Sequence, residues 1–266
     1  MAELIDRVGD AVRRVSADII EPRFRSLAAH EVEEKSPGQT VTVVDREAEA
    51  ALEAELGAIL PGVPVVGEEA CSGDPSRLAA LGSERAWVVD PLDGTGNFVI
   101  GSPDWAVMVA LLAGGEAVAS WIWQSLRARM YVAERGAGAS CNGEVLRSRR
   151  PRAEATTGLR GAVLSRFMDR DTAAGVRGNA GRFAEIRPGR FCSGVEYPAV
   201  IEGEEDFALF WRTLPWDHIP GVLLVEEAGG RARRPDGSAY RGEADRPGLL
   251  VAADAPTWEL ARQLLA

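Results

Sequence analysis

The chain has 266 residues, of which 46% are hydrophobic and 26% charged, with a formal net charge of -10. That length buries a large core in one domain or in two intimately packed ones. The acidic balance argues against a nucleic-acid binder, because phosphate backbones favour basic faces, although bound cations can reverse the field locally for a phosphorylated ligand.

Leu4, Val8, Val12, Val15 and Ile19 recur at steps of four and three. This predicts one face of an amphipathic helix ending near Pro22. Residues 39–44, QTVTVV, read as a short strand, and Asp45 opens a second helix over residues 45–60, stopped by Pro61-Gly62. VPVVGEEA (63–70) is a short apolar strand ending on Glu68 and Glu69, and AWVVD (86–90) is another, ending on Asp90. Residues 105–124 predict a hairpin turned at Gly114-Gly115, and residues 129–146 continue the sheet with Asn142-Gly143 as a second tight turn. Residues 147–160, rich in Arg and small residues, predict a connection between an N-terminal subdomain (1–150) and a C-terminal one (151–266). Beyond it, 161–165 reads as a strand, 196–203 as a helix, 207–211 as a strand and 215–230 as a helix. Asp217 lies near the start of that last helix, and Gly229-Gly230 can end it with a left-handed cap.

Cys71, Cys141 and Cys192 form no Cys-x-x-Cys pair and no even framework, which favours a reducing compartment. The first ten residues, MAELIDRVGD, carry charges where a signal peptide is apolar. The longest apolar run, WAVMVALLAG, reaches only about half of a membrane span. A soluble cytoplasmic protein is expected.

Four acids, Glu68, Asp90, Asp93 and Asp217, fall at predicted element ends, where sheet proteins place ligands. Converging carboxylates with no Lys or Arg nearby call for a cation. All-oxygen ligation points to Mg2+ first and Mn2+ next. With only His30 and His218 in the chain, a His-rich zinc site is nearly excluded. Pro91 stiffens the turn between two aspartates and lets the Leu92 carbonyl face inward. The Gly94-Thr95-Gly96 amides that follow suit a phosphate.

DPLDGTGNF (90–98) resembles the metal motif of the inositol monophosphatase family, usually Asp-Pro-(Ile/Leu)-Asp-Gly-Thr-x-Asn-Phe. TVVDREAE (42–49), VVGEEA (65–70) and PWDHIPGVLLVEEAGG (215–230) resemble three further family segments, in family order. The resemblance implies an α/β (α+β) fold, a layered αβαβα sandwich of the sugar-phosphatase type, often a homodimer. It implies that Glu68, Asp90, the Leu92 carbonyl, Asp93 and Asp217 hold two or three Mg2+, and that Asp45 and Thr95 pair to orient a metal-activated water. It further implies phosphate contacts from the Gly94 and Thr95 amides, and inhibition by Li+. A threonine hydroxyl alone is no base, but coupled to Asp45 it can accept a hydrogen bond from water and pass one on.

Two departures bear on the substrate. FCSGVEYPAV (191–200) stands where the family has a small Gly-(Ser/Thr)-Ala turn, leaving Ser193 and Gly194 as candidate substrate contacts. Seven residues before Asp217, where the inositol phosphatases carry a hydroxyl-binding Glu, stands Phe210; the segment offers an aromatic wall and Arg212 instead. A site lacking that acid discriminates less well for a polyol. The expected activity is hydrolysis of a small polyol or sugar-type phosphate, such as inositol 1-phosphate. Histidinol phosphate, fructose 1,6-bisphosphate and a nucleotide 3'-phosphate are the alternatives within the fold, and a non-catalytic regulatory binding protein is the rival class. Cys71 and Arg77 match the Cys-x5-Arg spacing of thiol phosphatases, but Asp74, Pro75 and Glu69 spoil its anion cradle. The extra residue in Asp90-Pro-Leu-Asp93 breaks the i, i+2 pattern of aspartyl-phosphate enzymes. His218 is expected to be a packing residue, and Trp105, Trp121, Trp123 and Trp216 to be core.

Overall fold

The computed structural model of the chain describes residues 1–36, 39–149 and 158–266. Helix α1 (Ala2–Val15) continues through a π turn (Ser16–Ile20) and a 3-10 turn (Glu21–Arg23). Strands β1 (Val32–Ser36) and β2 (Gln39–Thr42) pair antiparallel, and helix α2 (Val43–Ile59) follows at once. Strand β3 (Val65–Gly67) runs into α3 (Glu68–Gly73), and β4 (Arg85–Asp93) leads to α4 (Thr95–Val99). An antiparallel meander comes next: β5 (Ala106–Ala113), β6 (Glu116–Gln124), β7 (Arg129–Glu134), β8 (Gly138–Cys141) and β9 (Glu144–Leu146). Then come β10 (Arg160–Leu164), α5 (Arg170–Asn179), β11 (Glu185–Arg187), α6 (Ser193–Ile201), β12 (Phe207–Phe210), α7 (Pro215–Glu227), β13 (Arg231–Arg233), β14 (Leu249–Ala252) and α8 (Ala255–Leu265).

Apart from the β1-β2 pair, the strands build two sheets, a seven-stranded one in order β3-β4-β5-β6-β7-β8-β9 and a five-stranded one in order β11-β10-β12-β14-β13. Side-chain alternation stacks them. On β5, Val107, Val109 and Leu111 face a cluster with α1 and α2, while Ala106, Met108, Ala110 and Leu112 face one shared with α6, α7 and the second sheet. On β12, Ala208 and Phe210 join that shared middle, while Phe207 and Leu209 face Trp258 and Ala261 of α8. The result is the layered αβαβα sandwich. Strands buried on both faces explain the unbroken apolar runs in β4 and β5.

The hairpin turn at Gly114-Gly115 and the tight turn at Asn142-Gly143 stand where expected; Asn142 and Gly143 take φ +52 and +83. Gly229 ends α7 at φ +93. Several boundaries differ from the sequence expectation. Strand β2 stops at Thr42, because Thr42 is the helix cap: its Oγ1 accepts from the Val44 N–H, so α2 starts ahead of Asp45. Strand β4 runs on to Asp93, with its pairing to β5 interrupted between Asp90 and Asp93 where Pro91 offers no N–H. Helix α6 begins at Ser193, ahead of Glu196. Trp105, Trp121 and Trp216 are buried, whereas Trp123 is half-buried beneath the Arg13 guanidinium. The expected subdomain division at 150/151 lies outside the described residues; the seven-stranded sheet draws on residues 65–146 and the five-stranded one on 160–252. Among the described residues no helix is long and apolar enough to cross a membrane.

Candidate active site

The C-terminal end of β4, the start of α4, the start of α7 and the β3–α3 junction meet at one cleft of about 330 Å³. Its buried floor is acidic. Ligand oxygens of Glu68, Asp90 and Asp217 lie within 4.8 Å of one another. Asp93 lines the same cleft, and its Oδ2 accepts from the Gly194 N–H and, at 3.2 Å, from the Cys192 thiol. Asp90 Oδ1 accepts from the Leu92 N–H at 3.0 Å, which fixes the turn that Pro91 begins. The Leu92 carbonyl accepts from Thr95 Oγ1 at 3.0 Å.

Asp45 reaches this floor from the first turn of α2. Its Oδ1 accepts from Thr95 Oγ1 at 2.8 Å. Its Oδ2 accepts twice from Thr42, from N–H at 2.8 Å and from Oγ1 at 2.6 Å. Burial pushes the Asp45 carboxyl up to about 6, with the Thr42 and Thr95 hydrogen bonds opposing it. Capping the helix and holding Thr95 are therefore one arrangement, with one carboxylate oxygen for each.

The floor carries more negative charge than its surroundings balance. Burial, then repulsion by Glu68, Asp93 and Asp217, holds Asp90 well above an ordinary aspartate. Burial raises Asp93 to about 7, and burial followed by repulsion from Glu68 and Asp93 raises Asp217 to about 8. Positive charge reaches the floor from Lys35 and from Arg212, whose guanidinium sits 4.0 Å from Asp217 Oδ2. Lys35 of β1 donates to Glu68 Oε1 at 3.3 Å and to Glu69 Oε1. Burial works against the Lys35 charge, but Glu68 and Glu69 outweigh it and raise its pKa. The sequence expectation of no Lys or Arg near the cluster is thus corrected, because β1 folds across the β3–α3 junction. Glu69 pairs with Lys35 rather than joining the trio, and burial lifts it to about 7. One ammonium and one guanidinium against Glu68, Glu69, Asp90, Asp93 and Asp217 leave most of the charge unbalanced. The donors are all oxygen, and the spread of the trio suits a hard divalent ion with a small contraction, so these residues fit Mg2+.

Gly94 stands between the acids and α4 at φ +85, and a Cβ there would lie 2.7 Å from the Asp104 carbonyl oxygen. Only glycine makes that turn without strain. Thr95 and Gly96 open α4, so their N–H groups lack helical partners and line the cleft with Gly94. Ser193 lines the cleft as well. Gly194 stands one layer back: its N–H serves Asp93 and its carbonyl accepts from Gln124 Nε2 at 2.8 Å. The Arg212 guanidinium sits 4.0 Å from Asp217 Oδ2 and stacks 4.1 Å from the Phe167 ring centroid. Phe210 is buried and stacked on Tyr197 yet still lines the cleft, and Phe167, Phe191 and Trp211 add to its aromatic surface. His218 is buried between the Tyr197 hydroxyl and the Arg212 carbonyl, each at 2.9 Å, and burial pushes its pKa down to about 3. A neutral ring with both nitrogens engaged shuttles no proton. Burial raises the Cys71 thiol to about 11, which removes it as a nucleophile at neutral pH.

Lys35 and Phe167 were not singled out from the sequence. Neither has a motif or a spacing signal; each reaches the cleft only through tertiary folding.

A sequence profile of the inositol monophosphatase family matches residues 2–266. An inositol-1-monophosphatase of Rhizobium meliloti is 33% identical over 231 residues, 83% of this chain and 82% of that protein. Nus factor SuhB of Pseudomonas aeruginosa is 33% identical over 228 residues, 82% of this chain and 80% of that protein. Among solved structures, the IMPase of Thermotoga maritima superposes with a TM-score of 0.78 at 25% identity, covering 100% of this chain and 98% of that one.

Proposed function

The chain belongs to the inositol monophosphatase family, and from that premise we propose that it is a Mg2+-dependent phosphomonoester hydrolase acting on a small phosphorylated metabolite. The observation that carries this is the convergence of Glu68, Asp90 and Asp217, from three separate elements, within 4.8 Å. Asp93 and the Leu92 carbonyl complete the ligand set. Two or three Mg2+, or Mn2+ in their place, would acidify water and neutralise the charge that develops on the phosphoryl and leaving oxygens.

The chain's own groups do the positioning. With Asp45 ionised, the single Thr95 hydroxyl proton points at Asp45 Oδ1, and a lone pair of Oγ1 is left to accept from a water. Thr42 holds the other Asp45 oxygen, so the carboxylate cannot turn away. The amides at the start of α4 face the cleft and suit phosphate oxygens. Water attacks phosphorus in line, without a phosphoenzyme. This reaction centre does not distinguish one alcohol from another, so inositol 1-phosphate, another polyol or sugar phosphate, histidinol phosphate, fructose 1,6-bisphosphate and nucleotide 3'-phosphates all present a group that it can hydrolyse. The three free cysteines suit a reducing cytoplasm, and a homodimer is the assembly this membership favours.

The test is phosphate release from those esters with Mg2+ and with EDTA. Turnover with Mg2+, abolished by EDTA and reduced at least about a hundredfold by Asp93→Asn, is expected. EDTA-resistant turnover, or a trapped aspartyl-phosphate, would overturn the mechanism.

A further inference from the structure

The rim of the cleft is chemically unlike its floor. Among the described residues that line it, every carboxylate belongs to the acidic cluster of Glu68, Asp90, Asp93 and Asp217. Around the mouth stand Phe167, Phe191, Trp211 and Arg212. Phe167 and Phe191 are 39% and 49% exposed, which makes them two of the few large apolar side chains left open to solvent.

Phe191 takes φ +56. A bulky residue holds this left-handed conformation at a cost that glycine would not incur. The ring recovers little of it by burial. The surroundings enforce the conformation instead. Just before Phe191, the Arg190 N–H donates to buried Glu196, its guanidinium reaches Glu196 and Glu205 at 3.2 Å each, and its carbonyl accepts from Asn97 Nδ2 at 2.7 Å. Just after it, the Cys192 thiol contacts Asp93. The loop is pinned on both sides and presents a phenyl ring at the mouth of the reaction centre. Arg212 is fixed in a similar way: its carbonyl is held by His218 and its guanidinium carbon sits 4.1 Å from the Phe167 ring centroid.

Resting on the phosphatase reading above, we infer that Phe191, Phe167 and Arg212 select the leaving group, and that the preferred substrate is a phosphomonoester whose alcohol carries a flat aromatic or heteroaromatic ring. Aromatic faces and a guanidinium plane stack on such a ring. Among the described residues the rim offers no carboxylate to bind the hydroxyls of a polyol, so polyol esters lose that contact.

The test compares 2-phenylethyl phosphate with its saturated counterpart 2-cyclohexylethyl phosphate, glycerol 2-phosphate and inositol 1-phosphate, with Mg2+ present. The first two share leaving-group acidity and differ in ring flatness. A kcat/KM for the phenyl ester about tenfold above each of the others is expected. Phe191→Gly suits the backbone, so the variant should melt no lower than the parent. In it, and in Phe167→Ala, the ratio of phenyl to cyclohexyl ester kcat/KM should fall by about tenfold, chiefly through KM. A ratio unchanged in both variants, or a parent that prefers inositol 1-phosphate, overturns the inference while leaving the phosphatase reading intact. Absence of Mg2+-dependent turnover on every ester overturns both.

Discussion

Asp45→Asn tests the water-positioning pair most directly, because the structure dictates how the amide must sit. Thr42 donates two hydrogen bonds to Oδ2, so the amide NH2 cannot occupy that side without opposing donors. The amide oxygen therefore takes the Thr42 side, and the NH2 faces Thr95 Oγ1 across the present 2.8 Å contact. Thr95 must then accept where it now donates. Its proton turns to the Leu92 carbonyl, 3.0 Å away, and although one lone pair still faces water, the hydroxyl no longer has a carboxylate to pass a proton to. Losing one such positioned group lowers kcat by about a hundredfold to ten-thousandfold. Stability should move the other way. A buried carboxyl that ionises at about 6, instead of near 3.8, costs the fold about 3 kcal/mol once charged. That cost is small near pH 4, where folded Asp45 is protonated and the unfolded aspartate has only begun to ionise, and it is fully present above about pH 6. The variant should thus gain stability relative to the parent as pH rises from 4 to 7.5, up to that ceiling less the charged hydrogen bonds it gives up. Phosphate release at saturating Mg2+ and urea denaturation at both pH values read the two effects. Asp45→Asn with kcat within twofold of the parent refutes the pair's role. A variant less stable than the parent at pH 7.5 refutes the account of its burial.

Metal removal should be felt mainly in alkali. In the ion-free fold Asp93 and Asp217 keep their protons to about pH 7 and 8, whereas unfolded aspartates lose theirs near 4, so stability falls as pH climbs between those limits. EDTA should accordingly lower Tm more at pH 8 than at pH 5 in scanning calorimetry, and equal losses at both would count against the cluster as the metal site. Gly94→Ala should destabilise by about 1–3 kcal/mol and abolish turnover, because a left-handed alanine there also meets the Asp104 carbonyl; an unchanged urea midpoint would show that the turn can re-form.

The sequence made the reaction centre more legible than its surroundings. DPLDGTGNF is contiguous, and its acids, turn and small helix are local consequences of Pro91 and Gly94. The alternating faces of β5 and the glycine turns are local too. What escaped notice was either weakly patterned or non-local. Strand β14 is a short apolar run, α5 is largely polar with two glycines, and α8 is a short terminal helix, so none announces itself by period. The start of α2 was misplaced because two residues, Thr42 and Asp45, share the cap, and only the Thr42 contact to Val44 shows which one begins the helix. Lys35 reaches Glu68 across 33 positions, and Phe191 stands near Asp93 only because α6 packs against β5. Contacts of that span leave no imprint on local periodicity.

Asp90 and Asp93 close a strand of the first sheet, whereas Asp217 rides on α7, which is wedged between the two sheets. A half-assembled chain therefore owns only part of the proposed ligand set. Cation uptake should coincide with the last docking event during refolding, and a titration with Mg2+ would serve as a gauge of how many molecules have finished closing.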